Sequence, residues 1–193
     1  MAEGVCDLAT PLHGARAEVH DWVAGREGDF REALDTLQRA RGLRLRLTVW
    51  TRLTRSNARV LGEIPSLIKA RGAIDWVIVF PSTEGLAPPF TRVVPRYGMA
   101  IPAALAALEA ARRRGLGTRI AGAPRCVLGH FASRAIPSPT RSYARSCAGC
   151  PSKAGCPGTD AAYLARFGAG ELRPAPDVAL EPWMPFEARA RPP

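Results

Sequence analysis

The chain has 193 residues, of which 27 are Lys or Arg and 17 Asp or Glu, giving a formal charge of +10, with 47% hydrophobic and 23% charged residues. This composition excludes a disordered, collagen-like or disulfide-dense chain and fits one domain with a proper core. No apolar run approaches the roughly 18 residues of a membrane span, and Met1-Ala2-Glu3-Gly4 does not begin a basic region with an apolar core behind it, so no signal peptide is expected.

Taken in chain order, residues 4–12 read as a short strand entering a loop at His13-Gly14, and residues 17–25 as a short helix. Residues 29–41 are the clearest helix: Phe30, Ala33, Leu34, Leu37 and Ala40 share one face, Asp29 and Glu32 have capping-box spacing, and Gly42 closes it. Residues 43–50 alternate, with Leu43, Leu45, Leu47 and Val49 on one side and Arg44 and Arg46 offered to a polar interior, which is a strand. Residues 57–71 return to helical spacing, and Pro65 predicts a break into two short helices. The β-branched run 75–80, bounded by Gly72 and Pro81, suits a buried parallel strand. After a Pro-rich loop to Pro95, residues 98–114 form an Ala/Leu helix despite Pro102, and a short strand follows at 118–121. Strands alternating with helices over short connections make an α/β fold with parallel strands. Beyond about residue 122, Gly, Pro, Ser and Arg dominate and periodicity fades.

Only Lys69 and Lys153 are lysine; the other 25 basic residues are arginine, scattered along the chain, with the longest run Arg112-Arg113-Arg114 at a helix C-terminus where it favours the helix dipole. A nucleic-acid surface concentrates charge on one face with interleaved aromatics. The charge therefore reads as compositional bias, and nucleic acid is not the expected partner.

The cysteines are Cys6, Cys126, Cys147, Cys150 and Cys156. An odd number, without an export signal, argues for a reducing cytoplasm and a metal or cluster site rather than a disulfide framework. Cys147, Cys150 and Cys156 form a C-x2-C-x5-C run among small residues that let the chain wrap closely. Thiolate ligation suits zinc or an iron–sulfur cluster. Cys126 is the natural fourth ligand, with His130 the runner-up, and Cys6 reads as a core residue. All-cysteine zinc sites usually show two CxxC pairs and this chain has one, which leans to a cluster. His13, after a strand end where parallel α/β folds place their sites, is a further candidate; His20-Asp21 reads as a cap for the neighbouring helix. No P-loop, dinucleotide, zincin or nucleophile-elbow motif is present.

Thr10-Pro11-Leu12-His13-Gly14, His20-Asp21-Trp22 with Gly25, and Gly28-Asp29-Phe30 resemble the fourth strand and following helix of radical S-adenosylmethionine (SAM) enzymes. Residues 45–57, ending at Asn57, resemble the fifth strand and its loop, and residues 75–81 the sixth. Val94-Pro95-Arg96, Gly122-Ala123-Pro124-Arg125-Cys126, the Cys147–Cys150–Cys156-Pro157-Gly158 run, Tyr163, Phe167-Gly168 and Glu171-Leu172-Arg173-Pro174 resemble the C-terminal extension of a subset of that family, in which cysteines hold an auxiliary iron–sulfur cluster. The resemblance covers residues 4–174.

It implies a partial (β/α) barrel of parallel strands over residues 1–121, carrying the last three βα units. An irregular Cys-rich extension over 122–174 would hold an auxiliary [4Fe–4S] cluster on Cys126, Cys147, Cys150 and Cys156, and 175–193 would be a Pro-rich tail. Asn57 matches a cofactor-side asparagine. The C-x3-C-x2-C run that anchors SAM's cluster and the glycine-rich second-strand segment are absent, and Pro11 stands where a serine is frequent. The expectation is a truncated, cytoplasmic radical SAM-like chain that does not cleave SAM by itself. SAM would bind only with the missing half supplied, and the expected partner is a chain that supplies that half or, alternatively, a second copy in a homo-oligomer. The alternative is a non-enzymatic zinc-binding α/β module that contacts nucleic acid.

Overall fold

The computed structural model describes residues 7–82, 93–137 and 142–182. Cys6, most of the 81–95 loop and the end of the Pro-rich tail lie outside the described residues.

Four strands form one sheet: β1 (Asp7–Pro11), β2 (Arg46–Arg52), β3 (Ala73–Val79) and β4 (Gly117–Ala121). Their order is β1-β2-β3-β4 and every pairing is parallel. Helices α1 (Ala17–Ala24) and α2 (Asp29–Gly42) join β1 to β2, and α3 (Ile64–Ala70) follows a 3-10 turn (Ala58–Glu63) before β3. The long α4 (Tyr97–Arg113) leads to β4, and α5 (Ala161–Phe167) belongs to the C-terminal segment. The fold is thus α/β with a parallel sheet, and the sheet is open rather than closed on itself.

Local chemistry explains most of these elements. Pro65 sits in the first turn of α3, where its missing N–H costs nothing, so the sequence breaks into a 3-10 turn and a helix as expected. Pro11, also without an N–H, lies in β1, which pairs only with β2 among the described strands.

Two local expectations are corrected. Asp29 does not cap α2: the cap position is Gly28 at φ 82°, and Asp21 supplies the carboxylate, accepting from Gly28 N at 2.8 Å and Phe30 N at 2.7 Å. The αL residue after α2 is Arg44 at φ 56°, not Gly42, and Leu45 N closes the turn on Ala40 O at 3.0 Å. That turn delays β2 to Arg46, so Arg44 never enters the sheet, and Leu43, at 72% exposure, is outside the core.

One core layer lies between the sheet and the helices. It takes Leu47, Val49, Trp76, Ile78 and Ile120 from the strands, Leu37, Ile68, Ala104 and Leu108 from the helices, and Phe131, Tyr163 and Leu172 from the C-terminal segment. Burying each large side chain contributes about 1.5–3 kcal/mol. The C-terminal segment therefore shares the sheet's core, and Ile120 bridges Ala135 in parallel at the β4 edge. Alternate strand positions stand on the opposite face. There Thr48 and Val77 are buried, Arg46 and Trp50 are half-exposed and Arg52 is exposed, with Arg46 Nε 3.6 Å from Asp7.

Candidate functional site

Beyond β4 the chain must turn sharply. Gly122 has φ 74°, and a Cβ there would collide with the Phe80 carbonyl oxygen, so only glycine fits. The turn delivers Pro124, Arg125 and Cys126 into a short 3-10 helix (Arg125–Val127). Two further 3-10 turns, Arg145–Cys147 and Pro151–Gly155, place the other cysteines at or beside their ends. Cys126, Cys147, Cys150 and Cys156 line one small cavity. All four are free thiols; Cys156 is buried and the others half-buried.

Backbone N–H groups face the sulfurs unevenly. Cys156 Sγ accepts from Arg125 N and Gly158 N, each at 3.4 Å. Cys150 Sγ accepts from Ala175 N at 3.4 Å. Cys126 receives the Arg173 backbone N–H, which works against the burial, and the neighbouring Cys156 and Cys147 sulfurs, that together push its thiol pKa up. Lys153 and Arg173 also line the cavity, and Lys153 Nζ stands 5.4 Å from the Tyr143 ring centroid. Several backbone dipoles thus face the sulfurs. Among the described residues, no group of three His, Cys, Asp or Glu side chains is placed to hold a single metal ion.

A strap that the sequence did not signal closes over the site. Ser152 Oγ donates to Pro176 O, and Arg125, 2% exposed, reaches Asp177 Oδ1 at 3.2 Å and the Val178 carbonyl. Farther on, Glu181 pairs with Arg134 at 3.0 Å. The Pro-rich tail is irregular over 174–182, as expected, but it is tied down by side chains that local pattern does not reveal.

His130 is exposed and lines a separate groove with Glu109, Arg112, Arg113, Arg134 and Glu181, away from the cysteine cavity.

Asn57 is fully buried and its amide is engaged on every side. Nδ2 donates to His13 O at 2.9 Å and Arg52 O at 2.7 Å, while Oδ1 accepts from Thr54 N at 2.8 Å and Thr54 Oγ1 at 3.1 Å. Two donors and two lone pairs exhaust an amide. In this structure Asn57 fastens the ends of β1 and β2.

His13 is 4% exposed at the end of β1, with its ring 5.2 Å from Trp50. Its Nδ1 accepts from Arg52 N at 3.2 Å, so the neutral ring carries its proton on Nε2. Burial, then the neighbouring His20 and Arg52, lower its pKa to about 4. His20 Nδ1 accepts from His13 N at 2.9 Å and its Nε2 meets Asp29 Oδ2 at 2.9 Å. The hydrogen bond with His20, followed by Arg26, holds the Asp29 carboxyl below the usual range. His20 therefore spans β1 and α2, and Asp21 caps α2, close to the helix-capping role expected for the pair.

No family model and no curated protein matches this chain.

Proposed function

We propose that this chain binds an auxiliary [4Fe–4S] cluster through Cys126, Cys147, Cys150 and Cys156, on an α/β body that resembles part of a radical SAM enzyme. The observation that carries the reading is the shared cavity: four free thiols from two separate chain segments line it, and three receive backbone N–H groups. The donor set fits the group, because thiolates with N–H donors are the ligation iron–sulfur clusters use.

When bound, such a cluster supplies one-electron transfer or a site for substrate. The chain's own contribution is to bring the sulfurs to one cavity, to direct backbone N–H dipoles at them, and to cover them with the 173–178 strap. SAM cleavage needs the three-cysteine run that this sequence lacks, so it is proposed to require that run to be supplied from outside these residues, as by a partner chain that carries the missing half. The partly exposed second face of the sheet supports this, since parallel sheets are ordinarily covered on both faces.

Anaerobic reconstitution followed by metal and sulfide analysis tests the reading. About four irons and four sulfides per chain, with broad absorption near 400 nm, is the expected result. One tightly held zinc and no iron would instead establish the zinc-module alternative. Formation of 5′-deoxyadenosine by the isolated chain would overturn the statement on SAM.

A further inference from the structure

We propose that Cys147 is the displaceable ligand of this site, the corner at which a cluster held by Cys126, Cys150 and Cys156 opens on oxidation. The proposal rests on the cluster reading and concerns how the four sulfurs differ. Backbone N–H groups stabilise a thiolate and fix its direction. Cys156 and Cys126 have two such donors each, and Cys150 has one. Cys147 Sγ has none among the described residues.

Placement reinforces the difference. Cys156 is 8% exposed and packed beneath Arg125, whereas Cys147 is half-buried within an exposed run formed by Arg145, Ser146, Ala148 and Gly149. The Cys150 donor and one Cys126 donor come from the strap that covers the site, so Ala175 and Arg173 hold those two sulfurs. Cys147 sits at the end of a three-residue 3-10 turn with exposed residues on both sides.

A one-electron oxidant of the ferricyanide class takes one electron from a [4Fe–4S]2+ cluster and becomes ferrocyanide. The oxidised cluster sheds its Cys147-bound iron as Fe2+ and leaves [3Fe–4S]+ on the other three sulfurs. The released Cys147 thiolate then takes a proton from water.

The test uses the full chain reconstituted under anaerobic conditions, with its iron and sulfide counted first. One equivalent of ferricyanide is added, the thiols are alkylated with iodoacetamide, and labelled peptides are identified by mass spectrometry alongside an electron paramagnetic resonance spectrum. The expected result is a three-iron signal with Cys147 labelled about tenfold faster than any other cluster cysteine, as the loss of one charge-assisted hydrogen bond predicts. Cys147→Ser should still assemble a three-iron cluster, while Cys156→Ser should not. Equal labelling of the four cysteines, or first labelling at Cys126, Cys150 or Cys156, overturns the proposal and leaves the cluster reading standing. A chain that takes up no iron overturns both.

Discussion

The Asn57 side chain donates to the His13 carbonyl at 2.9 Å across 44 residues of sequence. With its second donor on Arg52 O, it joins the C-terminal ends of β1 and β2 and sets the loop at His13 against the loop after β2. The same end of the sheet carries Trp50 and the buried His13 ring.

Replacing Asn57 with alanine leaves two carbonyls and the Thr54 N–H without their partner in a fully buried setting. Each orphaned group costs about 1–3 kcal/mol, so Asn57→Ala should lower stability by about 3 kcal/mol or more. Urea unfolding followed by circular dichroism measures this. A loss below about 0.5 kcal/mol, the size of an ordinary surface change, would show that water replaces the amide without penalty.

Stability should fall on acidification before the carboxylates titrate. His13 has a folded pKa of about 4 against 6.5 unfolded, so between those values the unfolded chain binds more protons. Stability therefore rises with pH across that window, and is lost as pH falls from about 6.5 towards 4, by roughly 2–3 kcal/mol. The depressed Asp29 carboxyl adds a further loss below its unfolded range, of the same sign. His13→Gln should flatten the upper part of this slope in urea titrations run at successive pH values. An unchanged slope would remove His13 as its source.

The turn at Gly122 is the hinge on which Cys126 is delivered. Gly122→Ala meets both a positive φ and the Phe80 carbonyl oxygen. It should cost about 2–3 kcal/mol and reduce iron uptake in the reconstituted protein. The same substitution at Gly25, also at positive φ but with nothing near its Cβ position, should leave iron uptake unchanged. Equal iron uptake by the Gly122→Ala protein and wild type would separate the turn from the site.

His130 and Cys126 lie four residues apart, and the structure puts only Cys126 on the cavity. His130→Ala should leave the iron and sulfide content at the wild-type value, while Cys126→Ala should lower it. Loss of iron with His130→Ala would make histidine the fourth ligand and require the 3-10 helices after Cys126 to rearrange.

The parallel α/β order, the break at Pro65, the continuous helix through Pro102 and the grouping of cysteines were all legible in the sequence. These features depend on short-range rules: a period of two or 3.6, the missing N–H of proline, and the reach of a two-residue turn. Capping was already less legible, because Asp21, eight residues before Asp29, accepts from Gly28 N and Phe30 N and so supplies the carboxylate at the start of α2. What only the tertiary structure decided is which polar groups meet. Asn57 lies 44 residues from His13, Cys156 accepts an N–H from 31 residues away, and Cys150 is tied to a strap 25 residues on. Such partners are chosen when the core packs and every buried donor must find an acceptor. No local pattern carries that requirement, so four cysteines that look equivalent in sequence become one buried thiol, two held by the strap and one half-buried thiol beside an exposed turn.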